Sequence, residues 1–313
     1  MKNHLSDELH QLLNESLIYT ADGKVADYIP GLAQADPHHL SIAVSYPDGT
    51  CHTAGEVEDK KLTLQSISKV LTLALVLMDR GEGFVFQRVG KEPTGDPFNS
   101  IIKLETISPS KPLNPMINAG ALAVTHMLVG ANVEERIEKL LEFLRLITGN
   151  PELTYNEEIA QSEMETADLN RSLAYYLKEH DVINEDVEDL MDLYTKQCSI
   201  EVTVPELAKI GLVFALNGQD PDSGRQVIPK RVASICKTFM VTCGMYNASG
   251  EFAICVGVPA KSGVSGGIMA AVPGKCGIGV FGPALDDKGN SVAGWKLLEK
   301  LSSKYDLSMF SKV

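Results

Sequence analysis

The ten residues Lys69-Val-Leu-Thr-Leu-Ala-Leu-Val-Leu-Met78 have no polar face. Wound as a helix they turn apolar side chains to every side, and such a helix is stable only when other elements cover it all round. Arg80-Gly81 gives the segment a C-terminal signal. Its longest unbroken apolar stretch, Leu73 to Met78, is far too short to span a bilayer. The chain must therefore enclose a central helix in its own core. With 313 residues, 44% hydrophobic and 22% charged, it has the means, since a chain of this size buries roughly 75% of the surface it would expose unfolded.

The surrounding text supplies the layers. Leu5 to Tyr19 has amphipathic helical spacing. Leu40 to Gly55 reads as a strand, an Asp48-Gly49 turn and a second strand. From Gln65 to about Val241 the pattern is mainly helical, with apolar positions at 3.6 spacing over Val133 to Ile147 and Glu185 to Tyr194. Asn118 to Val129 is rich in small apolar residues, and Thr203-Val-Pro-Glu206 is a capping box opening a helix over Leu207 to Leu216. Glu251 to Val258, Gly267 to Val272 and Gly277 to Phe281 then read as three short strands, and Ala293 to Lys304 as a final amphipathic helix. No linker or internal repeat divides the chain.

Pairing the strands predicts an α+β fold. A five-stranded antiparallel sheet is flanked by terminal helices, with a large helical lobe inserted between strands 2 and 3. The sheet lobe takes residues of about 1–64 and 242–313 and the helical lobe about 65–241, together one domain over 1–313. That element order is similar to the serine β-lactamase and penicillin-binding fold.

Ser-x-x-Lys occurs at Ser66–Lys69, Ser108–Lys111 and Ser234–Lys237. Pro109 and Pro112 keep the second copy out of a regular helix. The third lies well inside a helical run, where a hydroxyl bonds its own preceding turn. Only Ser66 stands at the start of the all-apolar helix, sharing one face with Lys69. There the unpaired N–H groups of the first turn suit an oxyanion, and dipole and burial both disfavour a cation. A neutral Lys69 amine beside the Ser66 hydroxyl can take its proton. Taken alone, the pair reads first as a plain helix cap with a snorkelling lysine. Lys261-Ser262-Gly263 adds the Lys-Ser/Thr-Gly triad that lines the cleft of Ser-x-x-Lys acyl transferases, which makes Lys261 a candidate cleft residue.

The composition excludes other classes. A net charge of −13 without a basic cluster argues against nucleic acid and anionic membrane partners. No basic-then-apolar leader opens the chain, so the expected compartment is the cytoplasm. Six dispersed cysteines and seven scattered histidines offer no metal-ligand spacing, so neither metal nor cofactor is expected. Gly277 to Gly282 matches G-x-G-x-x-G, but Pro283 follows and no helix opens, so it is not a dinucleotide site.

Several longer stretches carry a resemblance. They are Gly23 to Pro30, Gln65 to Val70, Asn114 to Ala121, Gln161 to Glu163 with Asn170, and Tyr175 to Glu179. Tyr194 with Gln197 to Val202, Gly244 to Tyr246 and Lys261 to Gly267 complete the set. Together they resemble the bacterial and mitochondrial glutaminase family, which has a β-lactamase-like fold. The resemblance implies hydrolysis of the side-chain amide of L-glutamine to glutamate and ammonia through a Ser66 acyl-enzyme. It implies Lys69 as base and Tyr246 as proton relay, with the N–H groups of Ser66 and Val264 holding the oxyanion. Asn118, Glu163, Asn170 and Tyr194 would hold the α-amino and α-carboxylate groups, and Tyr28 would border the pocket. It also suggests a homo-oligomer, tetramer or dimer. Two alternatives stand beside it: another serine amidase or esterase of this fold, or a glutamine-binding protein without activity. No Ser-x-Asn or Tyr-x-Asn triplet, usual in penicillin-recognising enzymes, is present.

Overall fold

In the computed structural model, which describes residues 2–58, 60–94 and 111–311, strands β1 (Ser41–Ser45), β2 (Cys51–Ala54), β5 (Ala260–Ser262), β6 (Gly267–Val272) and β7 (Cys276–Phe281) form one sheet. Its order is β2-β1-β7-β6-β5 and every pairing is antiparallel. The two outer pairs are hairpins, and β1 joins the halves by pairing with β7 from Ser41↔Phe281 to Ser45↔Gly277.

The period-2 pattern sorts the sheet's side chains between two cores. On one face Ile42, Val44, Ile268, Ile278 and Val280 pack against Leu9, Leu12 and Leu13 of α1 (Lys2–Ser16) and Leu297, Leu298 and Leu301 of α11 (Val292–Tyr305). On the other, Ala43, Met269 and Ala271 meet the larger core. That core holds the all-apolar helix α2 (Ser68–Arg88) and α4 (Val133–Thr148), α8 (Val204–Ala215) and α9 (Lys230–Cys243). A third cluster joins α3 (Asn118–His126), α6 (Asp168–Glu179) and α7 (Val187–Cys198). Residues Leu71, Leu73, Ala74 and Val76 of α2 are 0% exposed, as a helix without a polar face requires.

The expected helix stop at Gly81 is a break: φ is +78° there, a left-handed conformation open to glycine, and a second helical stretch continues to Arg88. The Thr203–Glu206 capping box is present in full, with Thr203 Oγ1 and the Glu206 carboxylate each accepting the other residue's backbone N–H.

Two features differ from expectation. Residues 251–258 were expected as a strand, but Ser249–Cys255 is a helix, α10. The third strand of the sheet is the later Ala260–Ser262. Phe252 and Val256 are buried four residues apart while Ile254 between them is 87% exposed. That is the pattern of a helix turn, and the run is too short for its period to be read from sequence. Second, the helical stretch contains a strand: β4 (Glu201–Thr203) pairs with β3 (Lys61–Thr63) in a separate two-stranded sheet. This ribbon, continued by the Leu64 N–H to Ile200 carbonyl bond of 2.8 Å, anchors the chain just before Ser66.

Candidate active site

Ser66 lies in a single 3-10 turn, Gln65–Ile67, that leads into α2. The turn begins with Gln65 at φ +48°, a left-handed conformation that a non-glycine residue holds only when its surroundings fix it. One α-helical turn on, Lys69 is 2% exposed, and its Nζ lies 3.1 Å from Ser66 Oγ and 2.7 Å from Asn118 Oδ1. Asn118, at the start of α3, donates in turn through Nδ2 to Asn170 Oδ1 on α6 at 2.9 Å. Burial pulls the Lys69 ammonium down to about 8, against the opposing pull of Cys198 and Glu163. A neutral amine is thus accessible near neutral pH.

The facing wall carries the acid. Glu163, on α5 (Glu157–Glu165), is 8% exposed. Burial raises its carboxyl to about 7, while a hydrogen bond from Gln65 and the charge of Lys69 act the other way. Gln65 Nε2 reaches Glu163 Oε2 at 3.2 Å. Tyr194 of α7 is 2% exposed, and burial holds its phenol well above the ordinary range.

Tyr246 closes the third side. It too has positive φ, +51°, and its hydroxyl donates to the Ser262 carbonyl at 3.2 Å. Burial raises its phenol, and a hydrogen bond with Ser66 opposes that rise. The β5–β6 turn is clipped to the nucleophile strand by Ser265 Oγ, which donates to the Thr63 carbonyl at 2.7 Å. In this turn the Val264 N–H has no acceptor among the described residues. Gly263 makes the approach possible, because a β-carbon there would stand 2.6 Å from the Leu64 carbonyl oxygen.

These residues enclose a cavity of about 100 Å³ lined by Tyr28, Ser66, Asn118, Glu163, Asn170, Tyr194 and Val264, with Gln65 and Cys198 on its wall. A wider vestibule of about 630 Å³ lies outside it, sharing Tyr28, Asn118 and Asn170. Tyr246 packs beside Val264 in the small apolar cluster beneath. The sequence candidates thus gather from separate parts of the chain around one cavity, with one displaced. Lys261, expected on the cleft wall, is 0% exposed and sits behind Tyr246. Its Nζ is 4.3 Å from the Tyr246 ring centroid and donates to the Ser262 carbonyl at 2.7 Å. β5 turns this side chain inward, and burial pushes its ammonium well below the usual lysine range.

The other Ser-x-x-Lys copies are elsewhere. Ser234 and Lys237 lie within α9, where Lys237 is bonded to Asn217 Oδ1 at 2.6 Å. Ser108 and Ser110 lie outside the described residues. Sequence reasoning assigned no role to Gln65 or Cys198. The one signal for them is their place inside the quoted stretches, Gln65 before Ser66 and Cys198 after Gln197. Among the described residues no group of three His, Cys, Asp or Glu side chains could hold a metal ion, and no helix is long and apolar enough to cross a membrane.

A serine hydroxyl 3.1 Å from a lysine amine whose pKa burial depresses, beside a cavity that also presents a carboxylate, two amides and phenols, is an arrangement chemically able to cleave an amide. The model of the glutaminase family matches residues 23–310. The glutaminase of Geobacillus thermodenitrificans (strain NG80-2) is 68% identical over 304 residues, covering 97% of this chain and 98% of the relative. A solved structure of the Bacillus subtilis probable glutaminase matches at TM-score 0.92 and 44% identity, covering 98% of each chain. Another, at TM-score 0.89 and 43% identity, covers 97% of this chain and 99% of that one. It is the covalent complex of a Bacillus subtilis glutaminase with 5-oxo-L-norleucine, formed by reaction with 6-diazo-5-oxo-L-norleucine. The chain belongs to the glutaminase family, hydrolases that act on the side-chain amide of glutamine.

Proposed function

We propose that this glutaminase works through Ser66 as nucleophile and Lys69 as base. The observation that carries the reading is the 3.1 Å contact between Lys69 Nζ and Ser66 Oγ, with Ser66 lining the cavity. With Lys69 neutral, its N–H groups serve Asn118 Oδ1 and its lone pair accepts the Ser66 proton. Ser66 Oγ then attacks the side-chain carbonyl carbon of glutamine, and the carbonyl oxygen becomes an oxyanion held by the N–H groups of Ser66 and Val264. Collapse breaks the carbon–nitrogen bond. The proton taken by Lys69 passes to the leaving nitrogen through the Tyr246 hydroxyl, which its raised pKa keeps protonated. A glutamyl ester on Ser66 remains. Water attacks it, gives its proton back along the same path, and glutamate leaves. The covalent product of a relative with a glutamine-shaped electrophile supports a nucleophile in this pocket.

Substrate polarity matches the walls. The Glu163 carboxylate pairs with the α-ammonium, while Asn118, Asn170 and Tyr194 donate to the α-carboxylate and Tyr28 borders the entrance. The arrangement needs no cofactor. The element order supports a β-lactamase-like fold acting as one catalytic domain, with the active site between the sheet lobe (about 1–64 and 242–313) and the helical lobe (about 65–241). We further infer a cytoplasmic enzyme working as a homo-oligomer, dimer or tetramer, on its acidic surface and family likeness. Cell fractionation and light scattering test these two points.

The test of the activity is ammonia release from glutamine measured beside a chromogenic β-lactam and a simple ester, with Ser66→Ala as control. Turnover of glutamine alone, lost in Ser66→Ala, supports the reading. Preferential turnover of the β-lactam or ester would replace it with the wider serine amidase class, and no turnover at all would leave a binding protein.

A further inference from the structure

The nucleophile turn is held by a buried chain of hydrogen bonds that the reaction itself does not use. Gln65, at φ +48°, sits in a conformation that costs a non-glycine residue on the order of 1–3 kcal/mol and persists only when its surroundings over-determine it. Its carbonyl accepts from Ser68 Oγ at 2.7 Å, in addition to the Ser68 backbone N–H. Ser68 Oγ accepts from Gln197 Nε2 at 3.2 Å, and Gln197 Oε1 accepts from Thr125 Oγ1 at 3.0 Å. The chain reaches a rigid base, because the Thr125 carbonyl accepts from Arg136 Nη2 at 2.9 Å and Arg136 is paired with Glu185.

Two properties separate this chain from ordinary core polarity. Ser68, Thr125 and Gln197 are all 0% exposed, so bulk solvent does not reach the chain to replace a missing link. The chain also has a direction. Each hydroxyl has one hydrogen, Thr125 spending its own on Gln197 and Ser68 its own on Gln65. A Gln197 amide in the opposite orientation would set its oxygen against the Ser68 oxygen and its nitrogen against the Thr125 donor. Every link therefore specifies the next, from α3 through α7 to the turn that carries Ser66.

We propose that Thr125, Gln197 and Ser68 act as positioning residues that fix the Gln65–Ser66 turn in its attacking geometry. The inference rests on Ser66 being the nucleophile. The substrate-anchoring side chains Asn170 and Tyr194 are carried by α6 and α7 rather than by that turn, and Glu163 on α5 meets it through the 3.2 Å bond from Gln65 Nε2. Loss of a link therefore lowers kcat more than it raises KM.

The experiment compares native enzyme with Ser66→Ala, Ser68→Ala, Thr125→Val and Thr125→Ser on glutamine, with Tm recorded for each. Misplacing a reacting group by about 1 Å can cost roughly 100-fold, so folded Ser68→Ala is expected to lose about 10- to 100-fold in kcat. Thr125 touches neither substrate nor nucleophile, and its two variants separate hydrogen bonding from packing. Valine keeps the shape and deletes the hydroxyl, whereas serine keeps the hydroxyl and deletes a methyl. Thr125→Val should lose kcat severalfold while Thr125→Ser stays near native, whatever their order in Tm. Native kcat in Thr125→Val, or an equal loss in Thr125→Ser, would overturn the proposal, as would native kcat in folded Ser68→Ala. Native turnover in Ser66→Ala would instead remove the nucleophile assignment beneath it.

Discussion

Replacing Glu163 by glutamine should make the free protein more stable and the enzyme worse. Glu163 is buried in a cavity wall, and burial lifts its carboxyl from 4.5 to about 7. A folded-state pKa above the unfolded one means that the group's contribution is fully present below pH 4.5. It is lost as pH rises through about 7, because the folded state must then hold a desolvated carboxylate. The gap between the two values corresponds to roughly 3 kcal/mol at about 1.4 kcal/mol per unit. Glutamine keeps the shape and still accepts the Gln65 Nε2 bond, but it never ionises. Denaturant unfolding of both proteins at pH 4.5 and pH 8 gives the measurement. Native protein should lose up to roughly 3 kcal/mol more than Glu163→Gln between those conditions. Catalysis should move the other way. Loss of a charge-assisted bond to the substrate ammonium costs about 2–3 kcal/mol, so kcat/KM for glutamine should fall by roughly 30- to 150-fold. An α-N-acylated glutamine, which has no ammonium, should lose far less. Identical pH dependence of stability in both proteins would refute the desolvated carboxylate. Equal losses on the two substrates would refute the ammonium pairing.

Three further outcomes follow from the same geometry. Ser66→Ala should abolish turnover without unfolding, whereas Ser234→Ala, on the distant α9, should be near neutral; ammonia release and Tm decide both. Because burial lowers Lys69 to about 8, kcat should rise with pH through that value as the amine loses its proton. Lys69→Arg should be inactive, since a guanidinium cannot be deprotonated, and substantial activity in it would end the general-base role. Asparagine, one methylene shorter, should react roughly 100-fold or more slowly than glutamine, because anchoring its α-groups withdraws the amide carbon by about 1 Å. Comparable kcat/KM for the two would unseat Glu163, Asn118, Asn170 and Tyr194 as a set.

What could be read in advance and what could not divides along sequence separation. The Ser66–Lys69 pair, the break at Gly81 and the capping box at Thr203 are local, since their partners lie within four residues and a pattern of spacing exposes them. Gln65 reaches Glu163 across 98 residues and Gln197 reaches Ser68 across 129. Nothing in a local pattern announces that two buried amides and a hydroxyl will meet. Length set the other boundary. β3, β4 and β5 are three residues each, too few for alternation to show. That is why the β3–β4 ribbon went unseen and why the inward turn of Lys261 looked like a place on the cleft wall. Residues 251–258 failed for a related reason, as a short apolar run fits a helix turn and a strand equally until Ile254 is found outside.

At Gly263 two backbones meet with no side chain between them, the Leu64 carbonyl oxygen lying only 2.6 Å from where a β-carbon would be. The donors assigned to the oxyanion, on Ser66 and Val264, stand on either side of this contact, so their spacing is gauged by atoms that cannot be compressed or rotated. The rest of the pocket can be retuned by trimming or extending side chains. This one dimension cannot drift by small steps. A methyl group here would act as a shim that spreads the donors at once, and a wider gap for a bulkier acyl centre would require a change in loop length. The pocket is thus adjustable in what its side chains hold and fixed in the spacing of its two assigned donors.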